Sequence, residues 1–301
     1  MRNIRTDLAI ESAGDTYGLP GVNVNHWETG DISVTEVKVT DLKSAVQLGK
    51  PIGNYITLES GCVKCRNVES RLAMSALIGE EIGRMADMRA GEALVVGLGN
   101  RMVTPDSLGP LTVDRILVTR HIFSGMPEYA EDRMRSVCAL APGVLGVTGI
   151  ETAEMLESIV RKIKPACVIC VDALAARATG RIGGAIQITD TGIQPGSGVG
   201  NRRMALNRDT LGVDVIAVGM PTVIYAATLA RDAFAMLDDT AGDEALMKLE
   251  RELMGGPGGD MIVTPREIDG LIKDSAGMIA AGINRALQPE LSDSEIMAMM
   301  E

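Results

Sequence analysis

Leu94-Val95-Val96-Gly97-Leu98-Gly99-Asn100 is a short apolar run that closes on a glycine-rich turn. Val168-Ile169-Cys170-Val171-Asp172-Ala173-Leu174 is a second apolar run, and it delivers an aspartate. After the first run, the turn Val103-Thr104-Pro105-Asp106-Ser107-Leu108-Gly109-Pro110 supplies another. Near-continuous apolar runs of this length read as strands buried on both faces, as in a parallel sheet covered by helices. Chemistry in such sheets gathers at the strand ends. Asp106 and Asp172 are thus placed to meet at one sheet edge as an acid/base pair. Each also fits the N-cap of a following helix, a common role for aspartate. Local sequence leaves both readings open.

The surrounding segments alternate strand and helix. Ile32 to Val39 alternates apolar and polar residues, the pattern of a half-buried strand, and Tyr55 to Glu59 is a shorter candidate. Strands are also expected at 93–98, 137–141, 167–171, 185–188 and 213–218. Helices are expected at 68–89, 111–123, 148–163, 222–237 and from Thr264-Pro265 to about Leu287. Thr148 and Glu151 have capping-box spacing. Residues 1–20 read as a loose leader, and 238–260 as a polar, glycine-rich surface insertion. Residues 21–301 then form one α/β domain, a twisted and mostly parallel sheet between helices with extra N-terminal β elements.

Bulk composition narrows the function. The chain has 301 residues, 46% hydrophobic and 23% charged, which is globular rather than disordered. Aromatics are only 2%, so the core must be aliphatic, and the 18 methionines read as flexible filler. A net charge of −11 repels nucleic acid and favours a basic protein as partner. No apolar run approaches the ~20 residues needed to span a bilayer. Five cysteines, an odd and sparse set, suit a reduced intracellular compartment.

Other motifs are weaker. The Gly97-Leu98-Gly99 turn lacks the third glycine of a dinucleotide fingerprint, so no nicotinamide cofactor is expected. His26 and His121 are far in sequence from any candidate nucleophile, and Gly196-Ser197-Gly198 lies in the loop 192–201 with no strand entering it. Cys62-Val63-Lys64-Cys65 and Cys167-Val168-Ile169-Cys170 have zinc-ligand spacing, but the second pair falls on a strand, where positions i and i+3 face opposite ways. Cys62 and Cys65 remain a weak metal or redox candidate. Arg177, Arg202 and Arg203 flank the aspartate segments and suit recognition of a substrate carboxylate, or simply a solvated surface.

Several longer stretches resemble the germination protease family of endospore-forming bacteria. They are Arg5-Thr6-Asp7-Leu8-Ala9, Tyr55-Ile56-Thr57-Leu58-Glu59, Val95 to Asn100 and Val103 to Asp106. Pro142-Gly143-Val144, Thr148 to Thr152, Asp172 to Arg177, Pro195 to Asn201 and Val263-Thr264-Pro265 continue the likeness, in order along nearly the whole chain. The resemblance implies an endopeptidase that degrades small acid-soluble spore proteins at germination, with Asp106 and Asp172 as its catalytic pair. No histidine stands in a motif near either aspartate, so a reaction without metal or cofactor is expected. The resemblance further implies a fold similar to hydrogenase maturation proteases, a homotetramer in the cytoplasm of the spore core, and a zymogen cut at Asp7–Leu8. It involves neither nucleic acid nor membrane directly.

Two departures stand out. The leader before Asp7–Leu8 is only seven residues, and the stretch from Leu237 to Val263 is shorter than the family's insertion. Three competing readings remain. Carboxylates holding a metal are one, a non-catalytic scaffold for spore proteins is another, and a hydrolase or phosphorylase of a nucleoside or tRNA ester is the third.

Overall fold

The computed structural model describes residues 6–14, 19–61, 67–85, 91–196, 203–237, 242–256 and 261–300. Among these, one sheet holds β1 (Val22–Thr29), β2 (Ile32–Val39), β3 (Gly53–Glu59), β4 (Ala93–Gly97) and β5 (Val137–Leu140). It continues with β6 (Cys167–Ala176), β7 (Ala185–Thr189), β8 (Asp214–Tyr225) and β9 (Ile262–Val263). The order is β1-β2-β3-β7-β8-β6-β4-β5, with β9 paired to β8. The part β8-β6-β4-β5 is parallel, while β1, β2, β3 and β7 add an antiparallel extension. This is the α/β class expected, with a parallel centre and N-terminal β elements beside it.

Strand alternation splits the apolar runs between two cores. Val95, Ile169 and Val171 face the helices Val68–Met85, Leu108–Val113 and Ile268–Leu287. Leu94, Val96, Val168 and Cys170 face the helix Thr152–Ile163 through Leu156 and Val160. Cys167 and Cys170 fall in opposite cores, so they cannot share one metal, and neither is in a disulfide.

Several expected elements differ, each for a visible reason. The helix expected at 111–123 is two pieces, Leu108–Val113 and Arg120–Gly125. Between them the Asn284 side chain accepts from the Leu117 N–H (2.9 Å) and donates to the Arg115 carbonyl (3.0 Å), replacing helical hydrogen bonds. Thr148 caps nothing downstream: a short helix ends at Gly149 in the left-handed region (φ 73°), and Thr152–Ile163 starts afresh after Glu151. β8 runs to Tyr225 because Ile224 and Tyr225 pair with β9, so the next helix starts at Ala226, not 222. The last long helix starts at Ile268, after Pro265.

β1 and the helix Leu42–Leu48 were not expected from the sequence, being a strand that alternates only through Val22 and Val24 and a helix of seven residues. Within the stretch read as an insertion, Asp243–Gly255 is a helix, held to Ala226–Leu237 by Glu250, which accepts from Thr228 (2.6 Å) and Arg231 (2.9 Å). The leader is not loose where described. Leu8 is fully buried, and Ala9–Gly14 is a helix that buries Ala9, Glu11 and Ala13.

One close approach positions the rest. The first turn of Leu108–Val113 rests on the joined ends of β4 and β6, where the Leu98 N–H donates to the Val171 carbonyl at 2.8 Å. A Cβ on Gly109 would lie 2.3 Å from the Leu98 oxygen and 2.4 Å from the Val171 oxygen. Backbone atoms cannot swing aside as a flexible side chain can. Gly109→Ala is therefore expected to cost about 3 kcal/mol or more in urea denaturation. Gly125→Ala, with nothing within 4 Å of its new carbon, should stay within about 0.5 kcal/mol.

Candidate active site

β4 stops at Gly97, which pairs with Val171, whereas β6 continues along β8 to Ala176. Asp172 is thus the first residue of β6 beyond the cover of β4. It lies inside a strand, not at its end as the apolar run suggested, because pairing with β8 carries β6 four residues further. A bulge at Leu174/Ala175 bends that extension. Asp172 is 7% exposed, and its Oδ1 accepts the N–H of Ala173 at 2.9 Å.

Asp106 closes the single turn Thr104–Asp106, started by Pro105. Its Oδ2 accepts the Asn100 N–H at 2.7 Å, which ties it to the loop leaving β4. That loop folds over Asp106 through Gly99 (φ +108°), where a Cβ would sit 2.0 Å from the Asp106 carbonyl oxygen. Neither aspartate caps a helix: Ser107 is the N-cap of Leu108–Val113, and β6 simply continues past Asp172. Both line one cavity of about 720 Å³.

The same cavity holds Thr6 and Asp7. The Asp7 N–H donates to the Ala175 carbonyl (3.0 Å), and the Ala175 N–H donates to Asp7 Oδ2 (2.9 Å). Lys50 Nζ donates to the carbonyls of Thr6 (3.2 Å) and Asp7 (2.7 Å). Gln187 Nε2 donates to the Asp7 carbonyl at 3.1 Å, and Gln187 Oε1 accepts the Ala9 N–H at 2.6 Å. Leu8 fills an apolar cup of Leu174, Ala176, Ile182 and Ile224. Below it, buried Glu11 accepts the N–H groups of Arg177 (2.7 Å) and Ala178 (2.9 Å) and pairs with Arg181.

Electrostatics follow from this crowding. Burial raises the Asp172 pKa well above the ordinary carboxylate value, and the charges of Asp106 and then Asp7 push it further. Burial also raises Asp106, opposed by the Asn100 N–H. Burial pulls the Lys50 ammonium down, while Asp7 and Glu11 hold it up.

The expected site residues distribute unevenly. Asp106, Asp172 and Asp7 come together, with Leu8 adjacent. Arg203 lines the cavity and pairs with Glu151 at 3.6 Å. The backbone of Arg177 is engaged by Glu11, away from the aspartate pair, and Arg202, Cys62 and Cys65 lie outside the described residues. Lys50 and Gln187 escaped sequence reading. Their signals were faint: a cation between turn formers in Gly49-Lys50-Pro51, and one amide in the apolar strand Ala185-Ile186-Gln187-Ile188. Among the described residues no three His, Cys, Asp or Glu side chains gather as a metal site, and no helix is long and apolar enough to cross a membrane.

A family model described as germination protease matches residues 2–246 and 234–299. The chain is similar to the germination protease of Caldanaerobacter subterraneus, 42% identical over 318 residues, covering 99% of this chain and 98% of that one. That of Clostridium acetobutylicum is 42% identical over 323 residues, with 98% of each chain covered. That of Bacillus cereus is 36% identical over 348 residues, with 96% and 95% covered. Among solved structures, the [NiFe] hydrogenase maturation protease HycI of Thermococcus kodakarensis aligns with 18% identity and a TM-score of 0.31, over 64% of this chain and 92% of that one.

A carboxyl whose folded pKa is raised binds its proton more tightly folded than unfolded. Its presence therefore costs stability as pH rises above the unfolded value, about 3.9 for aspartate. Asp172→Asn should raise the Tm at pH 7, by about 2–4 °C per kcal/mol recovered. The gain should vanish as pH falls to about 4. Thermal melts of both proteins across that range give the comparison.

Proposed function

As this chain belongs to the germination protease family, we propose that it is an endopeptidase cutting small acid-soluble spore proteins, with Asp106 and Asp172 as its catalytic pair. The observation that carries the mechanism is a buried and a half-buried carboxylate from separate elements lining one cavity, each raised by desolvation and one raised further by its neighbour's charge. Environments that push two carboxyls apart in pKa assign an acid and a base. Asp172, raised most, keeps its proton. Asp106, steadied by the Asn100 N–H, is the ionised base. A water between them gives its proton to Asp106 and attacks the scissile carbonyl carbon, and Asp172 protonates the departing amine.

The contents of the cavity support a peptide substrate. Asp7 lines it and Leu8 fills the adjoining apolar cup, an acidic residue followed by a large apolar one, and the bond between them is the proposed self-processing junction. The acidic side chain is met by a backbone donor, the Ala175 N–H, and by the field of Lys50. An acidic chain of net charge −11 is repelled by nucleic acid and free to meet the protein bound to it. A homotetramer is the expected assembly.

Purified spore protein incubated with the full chain should yield fragments, read by mass spectrometry, that end in an acidic residue. Asp106→Asn and Asp172→Asn should each reduce that rate by about 10²–10⁴-fold while keeping the melting transition. Undiminished cutting by either variant would overturn the pair, and binding without any cut would point to a scaffold. The rate should rise with pH as Asp106 ionises and fall again as Asp172 gives up its proton, a bell whose lower limb is shifted up from the ordinary aspartate value and whose upper limb lies well above it.

A further inference from the structure

Lys50 and Gln187 come from separate elements, one from the turn after the helix Leu42–Leu48 and the other from β7. Both point their donors at one atom, the carbonyl oxygen of Asp7, at 2.7 and 3.1 Å. That oxygen belongs to the bond read above as the self-processing junction. Donors at about 2.7–3.1 Å from the oxygen that gains charge are the geometric mark of an oxyanion hole. We propose that Lys50 Nζ and Gln187 Nε2 form the oxyanion hole of this protease and are catalytic residues alongside the aspartate pair. The inference rests on Asp106 and Asp172 as that pair.

The contacts on either side support an assignment to chemistry rather than to mere anchoring. Gln187 is held from behind, because its Oε1 accepts the Ala9 N–H on the amine side of the same bond. The amide therefore spans the junction and fixes which way its Nε2 points. The Asp7 N–H and side chain are fastened to Ala175 from the other flank, and Leu8 is locked in its apolar cup. The carbonyl is thus held by groups that do not depend on Lys50 or Gln187.

The step balances without any added reagent. Water adds its oxygen to the Asp7 carbonyl carbon and passes one proton to Asp106. The carbonyl π pair moves onto oxygen, where Lys50 and Gln187 meet the new charge. That pair then returns and the carbon–nitrogen bond breaks. The Leu8 nitrogen takes the Asp172 proton, leaving a carboxyl on Asp7 and an amine on Leu8. A fixed ammonium and a fixed amide donor gain strength as charge grows on the oxygen, so they lower the barrier more than they tighten binding.

The test uses the full chain and a synthetic peptide copying residues 2–13, with cleavage after its aspartate followed by mass spectrometry. Lys50→Met keeps the stem and removes the charge. Gln187→Glu keeps an acceptor for Ala9 and replaces the donor with a carboxylate oxygen, which repels charge growing on the Asp7 oxygen. Each should reduce kcat by about 10²–10³-fold, the usual loss for one oxyanion donor, with KM changed far less. Lys50→Arg, which restores a cationic donor, should recover at least about tenfold of that loss. Melting curves confirm that each variant is folded, and Gln187→Glu stands alone as the test if Lys50→Met is not. A rise in KM at unchanged kcat would overturn the proposal and leave both residues as anchors of the leader. Failure of the unsubstituted chain to cut the peptide, while it still cuts spore protein, would also overturn it, since the Asp7 carbonyl would then not be a scissile one. Failure on both substrates would instead reject the protease reading on which it rests.

Discussion

The contact of Gly109 with the joined ends of β4 and β6 sets the geometry of everything around it. Because no side chain intervenes, the first turn of Leu108–Val113 lies directly on the carbonyls of Leu98 and Val171. Asp106 precedes that turn by two residues and Asp172 follows Val171 by one, so a single backbone packing fixes the spacing of both carboxylates. The asymmetric lengths of β4 and β6 complete the arrangement. β4 stops, β6 goes on paired, among the described strands, with β8 alone, and the flank that β4 leaves becomes the wall of the cavity, where Asp7 meets Ala175. Carboxylates held by strand and turn backbone in this way would need little reorganisation in the proposed reaction.

The cavity is also a place where charge is costly. Asp7, Asp106 and Asp172 lie near enough for Asp172 to feel both of the others, in surroundings that already disfavour ionisation. Lys50 offsets part of this, but its own ammonium is pulled down by burial. The folded chain carries this penalty at its centre, while the large aliphatic cores on either face of the sheet supply the stability that allows it. Strain concentrated at a site and compensated elsewhere is the usual division in enzymes.

How much of this was legible in the sequence depended on whether a signal was local. The apolar runs of β4, β6 and β8 announced a buried parallel centre, and the spacing of 68–85 announced its helix, because burial on both faces or one stripe leaves a direct pattern. β1 carried only a short alternation at Val22 and Val24 before turning polar, and as an edge strand it is fixed mainly by pairing with β2. The break after Val113 was invisible because its cause, Asn284, lies far along the chain. At the site, both aspartates were found from their neighbours, yet the cap reading could be rejected only with Asn100 and β8 in view. Lys50 and Gln187 acquire meaning only from the leader that lies across them, a contact between segments 43 and 180 residues apart.

The helix Ala9–Gly14 starts immediately after the Asp7–Leu8 bond, with Leu8 fully buried before it. In the intact chain the Leu8 nitrogen is a neutral amide, and its N–H is satisfied by Thr6 Oγ1 at 3.1 Å. If the bond is cut as proposed, that nitrogen becomes an ammonium beside an apolar cup, at a helix start whose Ala9 N–H is already taken by Gln187. On the other side a new carboxylate would join a site where Asp172 already feels Asp106 and Asp7. Both new ends would then be worse tenants than the uncut segment, which disfavours religation and favours release of the cut leader.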